Sequence, residues 1–173
     1  WISLFDGVSL FGWEIPEGTN WHVEDASIVA DSGEISLLRT PFHCSNFELR
    51  CDFHMEEGGN SGIFLRTAEG SSDPSKDTYE LNICDDHPSG FNTGSLVTRH
   101  TAEGVKKVAG NWHQFRVICD GPRIQVWLDS ESIVDFTDDT DAVRSSRQIG
   151  LQMNKGRIAL RTTYVKPLNG KSL

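Results

Sequence analysis

The sequence predicts an all-β fold, a jelly-roll sandwich of two antiparallel sheets packed face to face. Three observations carry this. Apolar and polar residues alternate with period two along much of the chain, turn-forming clusters separate the alternating runs, and no long stretch repeats as an amphipathic helix would. Period two sends successive side chains to opposite faces, so each run reads as a strand with one face on a core.

Taken in order, Asp6-Gly7 and Asp31-Ser32-Gly33 mark early turns. The clearest strand comes next: Phe47, Leu49, Cys51, Phe53 and Met55 are apolar while Glu48, Arg50, Asp52 and His54 between them are polar. Glu57-Gly58-Gly59-Asn60 turns the chain, and beyond it Arg66 falls opposite Ile63 or Leu65. Tyr79 to Ile83 alternates again. Residues 112 to 136 read as a meander: a strand, an Asp120-Gly121-Pro122 turn, a strand over Ile124 to Leu128, a Ser130-Glu131-Ser132 turn and a third strand. Ile149 to Met153 and Ile158 to Arg161 alternate on either side of Asn154-Lys155-Gly156. Short loops between such runs favour antiparallel pairing. Two stretches, 67 to 78 and 85 to 111, are polar and rich in Gly and Ser, and read as long loops outside the core, where function tends to sit. About a dozen strands at this spacing fill the chain as one domain over residues 1–173.

Composition narrows the partners. Sixteen basic against 25 acidic side chains give a net charge of −9, and the largest basic cluster is Lys106-Lys107. An acidic surface of this kind repels phosphate backbones, so nucleic acid and anionic membranes are poor partners. No apolar run approaches the roughly 18 residues of a membrane span. The chain starts at Trp1 without a Met or a basic and apolar leader, which fits an exported, trimmed protein. Cys44, Cys51, Cys84 and Cys119 form no Cys-x-x-Cys pair, so zinc-ribbon and thioredoxin readings fail; buried thiols and one or two disulfides are the readings left.

Alternation also assigns candidate site residues. With Leu81, Ile83, Leu151, Met153 and Leu160 pointing inward, Glu80, Asn82, Gln152 and Arg161 point outward on one or both sheets. A carboxylate, a guanidinium and two amides on stiff strands match the hydroxyls and carbonyls of a sugar, or else form a solvated ladder of cross-strand pairs. Trp127 lies out of phase with Ile124, Val126 and Leu128, and an outward indole suits stacking on a pyranose ring. Trp1, Trp13, Trp21 and Trp112 flank turns and read as core plugs. His54, His87 and His100 are candidate bases or ligands, although no His-x-His spacing joins them. Asp138-Asp139-Thr140-Asp141 and Asp85-Asp86 offer hard oxygens of the kind calcium takes. No Gly-x-Ser-x-Gly turn supports a serine nucleophile.

An ordered series of segments then resembles the 3-keto-disaccharide hydrolase domain family. It runs from Leu4-Phe5-Asp6-Gly7 to Gly12-Trp13, through Trp21-His22-Val23-Glu24-Asp25, Asn46 to Arg50, Gly58-Gly59-Asn60-Ser61-Gly62-Ile63-Phe64-Leu65-Arg66 and Tyr79-Glu80 with Asp85-Asp86. It continues through Thr93-Gly94, Gly110-Asn111-Trp112-His113, Ile124 to Leu128 and Ile149 to Gln152, ending at Val165-Lys166-Pro167-Leu168. The resemblance implies a concanavalin A-like lectin/glucanase sandwich, commonly exported by bacteria, that acts on 3-keto-glycosides as a 1,2-lyase or as the hydratase that completes the cleavage. The chain departs from the family pattern where Asn82 replaces a Gln, where Gly94-Ser95-Leu96-Val97 lacks a Tyr, and where Asp129-Ser130-Glu131 replaces an Asn-Gly turn.

The implied chemistry needs a base at C2, a donor at the O3 anion and an acid at the leaving oxygen. Glu80 or a histidine would be the base, Arg66, Arg161 or a divalent metal ion the oxyanion group, and Asp85 or Asp86 the acid. A Glu80–Arg66 ion pair is the structural rival to that arrangement. Asn82, Gln152, Arg161, Trp127, His54 and His100 complete the expected substrate contacts. The alternative function is a non-catalytic carbohydrate-binding module of the same fold. Carbohydrate is the partner on either reading.

Overall fold

The computed structural model describes residues 1–68, 76–105, 107–140 and 148–168. Its strands are β1 (Ile2–Ser3), β2 (Thr19–Glu24), β3 (Ser27–Gly33), β4 (Ser36–Arg39), β5 (Phe47–Met55), β6 (Asn60–Thr67), β7 (Tyr79–Ile83), β8 (Trp112–Asp120), β9 (Arg123–Leu128), β10 (Glu131–Thr137), β11 (Gln148–Lys155) and β12 (Ile158–Pro167). One sheet runs β10-β9-β8-β5-β12-β3-β2, with β1 added alongside β12; the other runs β4-β11-β6-β7. All pairings among these strands are antiparallel. The two-sheet all-β sandwich is therefore as the alternation predicts. No described helix is long and apolar enough to cross a membrane.

The inner faces follow the period-two assignment. Phe47, Leu49, Cys51 and Phe53 of β5 are fully buried, and Phe53 stacks on Phe115 of β8 with ring centroids 4.7 Å apart. Ile63, Leu65, Leu81, Ile83, Ile149, Leu151 and Met153 come down from the four-stranded sheet to complete the core. Each apolar side chain so buried contributes roughly 1.5–3 kcal/mol, which is what holds the two sheets together.

Several expectations are corrected. Residues 19–39 hold three strands that polar interruptions hide in the sequence, and Asp31-Ser32-Gly33 ends β3 instead of forming a turn. The 85–111 stretch is irregular but not excluded from the core. Leu96 and Val108 pack inside, and Gly94 and Val97 donate to the carbonyls of Asn82 and Glu80. The segment thereby closes the outer edge of β7, as Glu14 closes that of β4 by exchanging backbone bonds with Arg39. Of the 67–78 loop, residues 69–75 lie outside the described residues. Trp13 and Trp21 are core plugs, whereas Trp1 and Trp112 are exposed, lying under the guanidinium groups of Arg50 and Arg161 respectively. All four cysteines are buried free thiols; burial pushes the pKa of Cys44 and Cys51 up to about 12 and that of Cys119 to about 11.

Candidate functional site

The outer face of the four-stranded sheet carries a cleft of about 500 Å³. Strand register sets out its floor in two rows. Leu37, Gln152, Gly62 and Asn82 pair across β4, β11, β6 and β7, and Arg39, Gly150, Phe64 and Glu80 pair across the same strands one step along. Arg39 and Glu80 thus stand at opposite sides of the sheet, three strand spacings or about 14 Å apart at the backbone. Gly150 and Phe64 lie between them, and beside Phe64 in the other row Gly62 leaves room. A methyl group on Gly62 would meet Glu80 Cγ and Oε1 at 3.2 Å, so the carboxyl leans over a space only glycine provides. Asn60, Asn154 and His87 lie beyond the first row, with Pro16, Glu17, Ile35 and Ser36 on the β4 side.

The cleft's polar groups are short of partners. Glu80 is only 8% exposed, and burial pushes its pKa up to about 7 despite a hydrogen bond donated by Gln152. Gln152 is 7% exposed, and among the described residues its Oε1 has no partner; neither have Asn60 Oδ1 or Arg39 Nε. Unpaired buried polar atoms cost on the order of 1–3 kcal/mol each, and with Asn82 Oδ1 this face gathers four of them. His87 accepts the Ser89 backbone N–H at Nδ1, which leaves the proton of the neutral ring on Nε2. The arrangement offers a base of near-neutral pKa, an unneutralised guanidinium across from it, free amide acceptors and an imidazole N–H.

The residues expected from sequence separate into several places. Glu80, Asn82 and Gln152 do share the outer face of the four-stranded sheet. Asn82 is fully buried, however, with its amide donating to the Phe91 carbonyl, so it pins the 85–111 segment. Arg66 is not an oxyanion group. A β-bulge, in which β6 advances from Phe64 to Thr67 while β11 moves only from Gly150 to Gln148, puts Arg66 at φ 53° and turns it off the outer face. There it is fully buried, with Nε on Ser45 O at 2.6 Å and Nη1 on Gly121 O at 2.8 Å, and it forms no pair with Glu80.

Asp85 is not available as an acid, because its oxygens accept from Thr93 Oγ1, Val108 N and Ala109 N, each at 2.9 Å. Asp86 pairs with Lys107 in a separate hollow. Arg161, Trp127 and His54 point outward as alternation predicts, but from the other sheet. There Arg161 covers Trp112, Arg116 covers Trp127, and His54 packs against Trp112. His100 packs on Phe136, away from the cleft. Asp138 is no calcium ligand; it holds Tyr79 Oη at 2.7 Å and Arg99 at 3.1 Å inside the protein, while Asp141 lies outside the described residues. Among the described residues no three His, Cys, Asp or Glu side chains gather as a metal's ligands would.

Sequence reasoning missed Arg39 and Asn60. Arg39 ends a four-residue strand whose Leu37-Leu38 pair hides the alternation, and Asn60 reads as part of a turn. The available signal was the glycines: Gly62 and Gly150 interrupt adjacent strands on the outward phase, where a ligand comes close to the backbone.

With the geometry in hand, comparison with known proteins places the chain. Residues 1–166 match the model of the 3-keto-alpha-glucoside-1,2-lyase-like domain, and the chain belongs to that family. Among solved structures it is similar to a candidate glycosyl hydrolase of Parabacteroides distasonis ATCC 8503, with a TM-score of 0.80, 20% identity and 96% and 93% of the two chains covered. A second such protein of that organism superposes with a TM-score of 0.75 at 24% identity, over 92% and 95% of the chains. The carbohydrate binding module CBM66 of Bacillus subtilis gives a TM-score of 0.65 at 15% identity, over 90% and 95%. No curated protein matches the sequence.

Proposed function

We propose that this family member cleaves 3-keto-glycosides in the cleft of the four-stranded sheet, with Glu80 as the base. The observation that carries the reading is a buried carboxyl of pKa about 7 on the same sheet face as an arginine with an unpaired buried Nε, with Gly150 and Phe64 between their strands. Membership of the 3-keto-alpha-glucoside-1,2-lyase-like family supplies the reaction class.

The ketone at C3 acidifies the C2 proton. Glu80 takes that proton as the C1–O bond breaks and the C1=C2 bond forms; the bonding pair leaves on the glycosidic oxygen, to which His87 Nε2–H donates a hydrogen bond and which takes its proton from water, leaving hydroxide. Charge that builds on O3 faces Arg39, and Gln152 Oε1 and Asn60 Oδ1 accept from ring hydroxyls. The products are an unsaturated ketone and the free leaving group. That hydroxide adding to C1, with the Glu80 proton returning to C2, then gives the 3-keto sugar, and the two halves sum to hydrolysis. A base whose pKa sits near 7 balances ionised fraction against proton affinity at neutral pH.

The test is release of the leaving group from a 3-keto-glucoside by wild type and Glu80→Gln. A fall of about a hundred- to ten-thousandfold is expected. Equal rates would remove Glu80 from the role. Saturable sugar binding without turnover by the wild type would leave the cleft as the binding site of a carbohydrate-binding module, the function its similarity to CBM66 makes the second reading.

A further inference from the structure

The cleft does not end at the keto-sugar position. On its β4 side Pro16, Ile35 and Leu37 offer apolar surface, with Glu17 and Ser36 beside them, in a cleft whose opposite side is Glu80, His87 and Asn60. Ile35 sits in the turn between β3 and β4 and is 67% exposed, and Ile15, next to Pro16, is also exposed. A turn residue presenting an isoleucine to the mouth of a polar cleft gains nothing in folding. The volume of about 500 Å³ exceeds what one hexose fills. Ile35 and His87 stand at the same end of the face, beyond the row of Leu37, Gln152 and Asn82. A ring held between Glu80 and Arg39 therefore directs its glycosidic oxygen toward His87 and its aglycone toward Ile35. Glu17 lies on the same wall and makes it unfavourable to anions.

We propose that Pro16, Ile35 and Leu37 form the leaving-group subsite, and that it takes an uncharged aryl aglycone. The inference rests on the assignment of the keto-sugar ring to the Glu80 end of the cleft. The aryl ring lies flat on the isoleucine and proline, and the subsite sets which glycosides are used without entering the bond changes.

The experiment compares kcat/KM for 4-nitrophenyl and methyl 3-keto-α-glucoside in wild type and Ile35→Asn, which keeps the exposed turn folded as checked by an unchanged melting curve. The substitution is expected to lower the aryl-to-methyl ratio about tenfold. An unchanged ratio overturns the subsite while leaving the catalytic reading intact. If wild type cleaves neither compound, the catalytic reading fails, and calorimetry decides the subsite alone. Phenyl 1-thio-α-glucoside should then bind wild type about tenfold more tightly than methyl 1-thio-α-glucoside, with the difference lost in Ile35→Asn. Equal affinities for the two in wild type overturn the proposal.

Discussion

The two sheets present outer faces written in the same alternating pattern, and they treat their polar side chains in opposite ways. On the eight-stranded sheet the charges have found partners. Arg116 Nε donates to Glu48 at 2.6 Å and its guanidinium lies over Trp127; Arg50 joins the same Glu48 and covers Trp1; Arg123 pairs with Asp135. On the four-stranded sheet Gln152, Asn60 and Arg39 each keep a buried atom without a partner, and Glu80 is held near neutrality by burial. The first face is solvated and self-neutralised. The second is desolvated and incomplete, which is the condition under which a ligand's hydroxyls gain most.

This contrast can be broken first at Arg66, where sequence reading and structure part most sharply. As a strut to Ser45 and Gly121 it should matter for folding and not for chemistry. Arg66→Met is expected to cost about 3 kcal/mol or more in urea unfolding, through lost charged hydrogen bonds and stranded carbonyls, while the folded fraction keeps its turnover. A stable variant with lost turnover would return Arg66 to the site.

Glu80 should behave in the reverse sense. Its folded pKa of about 7 lies above the ordinary value of 4.5, so the stability linked to its neutral form is complete below about pH 4.5 and drains away as pH rises through about 7. Glu80→Gln should therefore be more stable than wild type by about 2 kcal/mol at pH 8, with the gap closing by pH 4. A gap independent of pH would mean that the carboxyl is not desolvated. The smallest effect belongs to the other face: Trp127→Ala gives up one stacked arginine, and should lose less than about 1 kcal/mol and leave cleavage as in wild type.

These contrasts show what the sequence can carry. Alternation identified which side chains leave the core, and it did so correctly for Glu80, Gln152, Trp127 and Arg161. It could not say on which of two faces each one emerges, because period two records in or out and not the neighbouring sheet. Arg66 escaped because one extra residue in a bulge shifts the phase, and local spacing gives no sign of the change. Asp85 looked like free acid because its three donors come from residues eight or more positions away. The sheets were legible where strands are long, as in β5, and illegible over 19–39, where short strands mix polar residues into both phases.

The central claim is that the incomplete face, and not the self-neutralised one, receives the sugar. The most direct measurement is a titration of the 15N-labelled protein with methyl glucoside, following side-chain N–H signals from both faces. The amide signals of Gln152 and Asn60 are predicted to shift and saturate, while the indole signals of Trp112 and Trp127 stay in place with those of the buried Trp13 and Trp21. Saturable shifts of the Trp112 and Trp127 indoles, with Gln152 and Asn60 unmoved, would put the sugar on the eight-stranded sheet and contradict the account.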